Sequence, residues 1–255
     1  TITDQHACLE VWHQYLEEWL GRVHDDDVSV VESLQLLNQS STVIAASQER
    51  ALTLALRSSN GPALGELDDH SPTDTEDESE LGVFVSVCLD IAGTVSELLP
   101  DATLARIAQF ISGQVSALLS SPPAAPTTFN VCADTATVLA LAGRLSELMV
   151  EDNLIPRAEL SRGIFQQVLS AAVWATQNKL WSYSEAHATA HSRIIGSIPP
   201  WNRWLSEVFR SGPEGEAMVN GYLTTIIDNT LLPLLDGSSP VCTQMAAAQT
   251  LKMIC

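Results

Sequence analysis

Apolar residues recur at helical spacing along almost the whole chain, and Pro and Gly stand at the breaks between the runs. Over residues 4–24, Cys8, Trp12, Tyr15, Trp19 and Val23 share one face and Glu10 and Glu17 lie opposite, which predicts a one-sided helix. Two further runs cover Val28–Asn38 and Thr42–Arg57, the second stacking Ala45, Leu52 and Leu56. Leu81–Leu99 is apolar nearly all round, through Val83, Phe84, Val87, Leu89, Ile91 and Leu98, and predicts a helix covered on several sides. Pro100 ends it, and Asp101 is the expected N-cap of the next stripe, Leu104, Ile107, Ile111, Val115 and Leu118.

Pro122, Pro123 and Pro126 exclude a helix across residues 120–129 and predict a semi-rigid extended connection between two halves. Beyond it the pattern predicts helices over Val131–Glu151 and Arg157–Trp181, with Pro156 as the break. Ser182, with Glu185 three residues on, reads as a capping box for a helix to about Gly196. Pro199–Pro200 opens a short helix carrying Trp201, Trp204, Leu205 and Val208. Gly212–Pro213 opens a longer one to Leu235, which Pro233 must end or kink. Ser239–Pro240 starts the last, through Met245, Ala248 and Leu251.

The fold class is all-α: about ten helices joined mostly by short turns, in pairs spaced ~40–50 residues apart. That rhythm, with helices started by Pro200, Pro213 and Pro240, resembles the α-solenoids of HEAT and armadillo repeat proteins across the whole chain. A closed helical bundle is the alternative. The resemblance implies one helical-repeat domain over residues 1–255, cut from a longer polypeptide, and a scaffold role. Stacked pairs offer a broad concave surface and few deep pockets, which suits partner binding better than catalysis.

Composition narrows the class of partner. Twelve Lys and Arg against 31 Asp and Glu give a net charge of −19, which opposes direct nucleic-acid or anionic-membrane binding and favours a basic protein partner. No uncharged stretch of about 20 apolar residues is present to span a bilayer. The five cysteines, Cys8, Cys88, Cys132, Cys242 and Cys255, are widely spaced and lie mostly in apolar runs, as reduced core residues of a cytosolic or nuclear protein do.

Residues 58–80 break the helical pattern. The eight carboxylates of Glu66–Glu80, with no Lys or Arg among them, predict a solvated acidic loop insertion. Within it Ser71 precedes Pro72, while Thr73 and Thr75 each have a Glu three residues on, so these three are candidate phosphorylation sites.

Candidate chemistry is sparse. His187 and His191, beside Glu185, have the i, i+4 spacing of a metal pair, but Ala188, Thr189 and Ala190 separate them, and helix packing is the expected role. Asn220, Thr224 and Asp228, with Asp25–Asp27, resemble the magnesium-binding motifs of class I terpene cyclases, which would imply an enzyme acting on a diphosphate. Gly221 departs from that pattern, and no basic set for a diphosphate stands out. Nucleophile elbows, P-loops and C-x-x-C pairs are absent, so neither cofactor nor metal is expected. Trp201, Arg203, Trp204, Phe209 and Arg210 concentrate the residue types of binding hot spots and are the candidate partner-binding set, with burial of at least one Trp in the core as the default.

Overall fold

A computed structural model describes residues 10–11, 14, 16–18, 21, 80–98, 100–123, 125 and 128–254. Among the described residues the secondary structure is helical throughout, with no strand. Eight helices follow from residue 80. The about ten expected for the whole chain included three before residue 58, which lie outside the described residues except for a few positions of the first. The acidic loop, with Ser71, Thr73 and Thr75, and the Asp25–Asp27 run also lie outside them. The chain divides into two compact units, Thr1–Arg106 and Ile107–Cys255.

Helix α1 (Glu80–Leu98) buries Cys88, Leu89, Ile91, Ala92, Val95 and Ser96, which span more than one face, as its spread of apolar positions requires. Its hydroxyls are satisfied inside the unit: Ser96 donates to the Ala92 carbonyl at 2.6 Å, and Thr94 to the Glu17 carboxylate at 3.0 Å. Helix α2 (Pro100–Ser120) buries the expected stripe Leu104, Ile107, Ile111, Val115 and Leu118. It starts at Pro100, one residue before the expected cap Asp101, because a first-turn position needs no backbone N–H. Among the described residues of the following connection, expected to be extended, two turn bonds form, Ala125 N donating to the Pro122 carbonyl at 3.0 Å and Thr128 N to the Ala125 carbonyl at 2.9 Å.

In the second unit, helix α3 (Thr128–Leu145) is central: 13 of its 18 residues are buried, so neighbours cover nearly every face. It ends six residues short of the expected Glu151. Ser146 Oγ donates to the Gly143 carbonyl at 2.7 Å and the Pro200 carbonyl at 2.9 Å, and two short 3₁₀ turns follow, Ser146–Met149 and Glu151–Asn153. Helix α4 (Ala158–Gln177) likewise stops before Trp181, because Lys179 turns into the left-handed region at φ 48°.

Helix α5 (Glu185–Ile195) is capped by Ser184, whose Oγ accepts from His187 N at 3.3 Å. The expected cap at Ser182 is therefore displaced by two residues. Ser182 N is committed to the Lys179 carbonyl at 2.8 Å, which places Ser182 in the preceding turn and Glu185 too early for a capping box. After a Pro199–Trp201 turn come α6 (Asn202–Arg210) and α7, which runs from Pro213–Ile226 through a π-helical stretch, Ile227–Leu231, to Leu232–Leu235. A proline inside an α-helix clashes with the carbonyl four residues back. The wider π turn just before Pro233 accommodates it, so the helix continues past the proline. Helix α8 (Val241–Ile254) closes the described chain.

Helix α5 packs on α3, α4 and α8, and α6 packs on α7. The tightest joint is between α6 and α7. A Cβ at Gly215 would stand 2.0 Å from the Val208 carbonyl oxygen and 2.5 Å from Ser211 Oγ, so the two backbones meet where no side chain fits. Gly221, in the same helix, has open space around it. Gly215→Ala is expected to destabilise by at least ~1–3 kcal/mol and Gly221→Ala to stabilise by ~0.5–1 kcal/mol. Denaturant titration of the two variants checks the pair, and equal effects would show that the contact is not tight.

Candidate functional site

The Pro199–Trp201 turn and the inner face of α6 carry the aromatic core. Trp201 and Trp204 are buried, at right angles with ring centres 5.6 Å apart, and Phe165 of α4 lies 5.4 and 5.3 Å from them. Tyr222 of α7 adds an edge contact at 5.2 Å to Phe165, so three helices converge on one ring cluster. Such pairs contribute ~0.5–1.5 kcal/mol each beyond area burial. Both indole N–H groups are buried and meet no acceptor among the described residues. Each costs about 1–3 kcal/mol, which the apolar burial of two large rings must offset.

The outer face of α6 is polar. Arg203 donates to Glu147 at 2.8 Å and to Glu151, and its Nε stands 3.6 Å from Glu207. The hydrogen bond to Glu147 is the leading reason that the guanidinium pKa lies above its usual value. Glu207 also accepts from the Glu151 backbone N–H at 2.7 Å. Glu151 has a φ of 56°, costly for a residue with a Cβ, and these bonds hold it there. One cation thus gathers three carboxylates and ties the turn after α3 to α6.

Beside the aromatic core lies an open cleft of about 790 Å³, between the turn at Leu154–Ala158, the start of α4, the end of α6 and the start of α7. Trp204, Val208, Leu154 and Met218 supply apolar wall, Arg162 and Glu214 opposite charges, and Ile155 is 86% exposed. The cleft exists because the chain reverses sharply between α6 and α7. Gly212 takes a φ of 133°, Pro213 starts α7, and the close approach of Gly215 to Val208 and Ser211 joins the two helices in the cleft wall.

Of the five residues expected to bind a partner, Trp201 and Trp204 are therefore core, Arg203 sits in its glutamate cluster, and Phe209 and Arg210 are exposed at the end of α6. The cleft's Leu154, Ile155, Arg162, Glu214 and Met218 were not singled out in the sequence. The available signal was Leu154–Ile155, two large apolar residues in a proline-marked break where polar ones are usual.

The histidines do not act as a pair. His191 is fully buried, stacked on Trp181 at 5.3 Å, with Nε2 3.2 Å from Thr176 Oγ1 and Nδ1 without a partner among the described residues. His187 packs edge-on against Phe129 at 5.4 Å, with Nδ1 2.8 Å from Ser184 Oγ. No group of three His, Cys, Asp or Glu side chains that could hold a metal ion occurs among the described residues. Asn220, Thr224 and Asp228 are exposed on α7, and the Thr224 hydroxyl is spent on the Asn220 carbonyl at 2.9 Å. Cys88 and Cys132 are buried, which pushes their thiols up to about 12, whereas Cys242 corrects the expectation of core cysteines by lying exposed on α8.

No described helix is long and apolar enough to cross a membrane. Comparison with protein-family models, curated proteins and solved structures finds no match.

Burial lowers the His191 pKa from 6.5 to about 3. The unfolded chain protonates this ring near the ordinary value while the native state holds it neutral, so the unfolded state binds the extra proton in between. Stability is therefore retained above that ordinary value and lost as pH falls below it, at up to ~1.4 kcal/mol per pH unit. His191→Gln is expected to flatten this acid limb between neutrality and the onset of carboxylate titration. Unfolding titrations at a series of pH values check it, and parallel curves for both proteins would rule the role out.

Proposed function

We propose that the chain is a non-enzymatic protein-protein interaction module of a larger helical scaffold, and that a basic partner segment lays an apolar side chain in the cleft beside α6. The carrying observation is that cleft, with Ile155 projecting into water from an apolar wall. Exposed apolar surface rimmed by polar groups is characteristic of docking sites. Phe209 and Arg210 are exposed and lie in sequence between the cleft residues Val208 and Ser211, and Trp204 shapes the cleft wall from within.

Charge divides the work of recognition. Residues 1–106 hold 20 Asp and Glu against 4 Lys and Arg, net −16, whereas residues 107–255 hold 11 against 8, net −3. Long-range attraction of a basic partner is therefore chiefly a property of the first unit, and phosphorylation at Ser71, Thr73 or Thr75 would strengthen it. The cleft, in the nearly neutral unit, selects by shape and apolar contact. A cytosolic or nuclear setting accords with the buried free thiols Cys88 and Cys132.

Of the two architectures expected, the contact of α5 with α8 as well as with α3 and α4 favours a closed bundle for residues 107–255. Stacked solenoid pairs touch mainly their neighbours in sequence. Interaction through a cleft holds in either arrangement.

Random peptides displayed against the intact chain are expected to enrich sequences that join Lys or Arg to Leu, Met or an aromatic residue. Ile155→Asp is expected to weaken the enriched peptides at least about tenfold without changing the melting temperature. Enrichment of acidic peptides, or undiminished binding to Ile155→Asp, would contradict the proposal.

A further inference from the structure

Helix α8 is amphipathic in an inverted sense. The face packed on α5 is made of small residues, with Thr243, Ala247 and Thr250 buried. The outward face carries the large ones: Val241 is 70% exposed and Met245 55%. Val241, Met245, Ala248 and Lys252 are all exposed, and their spacing of four, three and four is that of the seam between two packed helices. Leu232 and Leu235 are also exposed, at the end of α7 before the polar turn of residues 236–240.

Charge decides what this face fits. Neither α8 nor the four residues before it contain a carboxylate, and Lys252 is the single charge on the helix. A basic segment of the kind proposed for the cleft finds no acid on the helix itself, and Lys252 calls for an acid in the occupant. The chain itself supplies one at the opposite end of the helix. Asp236 is exposed in the turn that leads into α8, its Oδ1 accepting from Ser238 N at 2.8 Å and Ser238 Oγ at 2.6 Å.

We propose that α8 is the interface of a two-fold homodimer, its outward seam packed antiparallel on α8 of a second copy. An acid at one end and a base at the other make the face self-complementary: the antiparallel arrangement carries each Lys252 toward Asp236 of the second copy, twice over. The small side chain of Ala248, near the middle of the seam, allows the two helices to approach closely there. A single helix of 14 residues is about 21 Å long and buries less than the ~1,600 Å² of a standard interface, so the dimer forms in the micromolar range or above. This inference stands independently of the cleft.

Sedimentation equilibrium across a micromolar-to-millimolar series tests it. The intact chain is expected to rise from its 27.5 kDa monomer mass toward twice that value. Met245→Glu should stay monomeric with an unchanged far-UV spectrum. Lys252→Asp should weaken association at least about tenfold, and adding Asp236→Lys to it should restore association. Both positions are exposed, so this pair keeps the test decisive if Met245→Glu disturbs folding. Monomer mass throughout for the intact chain, a dimer that survives Met245→Glu, or failure of Asp236→Lys to rescue Lys252→Asp would overturn the proposal.

Discussion

The second unit depends on a constraint at one junction: Phe165, Trp201 and Trp204, with the edge of Tyr222 against Phe165, fill the space where α4, α6 and α7 meet. The indoles sit there without acceptors for their N–H groups among the described residues, a cost borne only because the rings remove so much apolar area from water. Around this cluster the backbones close to contact. Gly215 of α7 touches the Val208 carbonyl of α6, and Gly143 of α3 faces Pro200, whose Cγ would stand 3.1 Å from an added Cβ.

The outer surface follows from the same arrangement. Once the inner face of α6 is committed to the rings, Arg203 is turned outward, where Glu147, Glu151 and Glu207 collect on it. The reversal into α7 leaves the cleft open between Leu154, Trp204 and Met218. Cleft and core thus share Trp204, whose ring belongs to the aromatic cluster and to the cleft wall.

Much of the helical layout was legible in the sequence because its cause is local. The stripe of α2 and the proline joints are set by spacing and by the missing proline N–H. What escaped was decided by distant partners or by backbone conformation. The early stop of α3 depends on a hydroxyl bonding Pro200, far along the chain, and the shift of the α5 cap depends on a left-handed Lys179. Burial of at least one tryptophan was legible; that both turn inward was not, since a helix nine residues long presents aromatic and charged residues in close alternation. The cleft was hidden because its walls come from four separate segments. The exposed seam of α8 reads in sequence like any buried stripe: periodicity gives the faces of a helix without saying which one is covered.

The ring junction is tested most directly by comparing Phe165→Ala with Phe209→Ala, two phenylalanines of which one is fully buried and the other 42% exposed. Chemical denaturation of both variants is expected to show a loss of ~3–5 kcal/mol for Phe165→Ala and less than about 1 kcal/mol for Phe209→Ala. Equal losses, or a nearly neutral Phe165→Ala, would contradict the account, because the second unit would then be held together elsewhere.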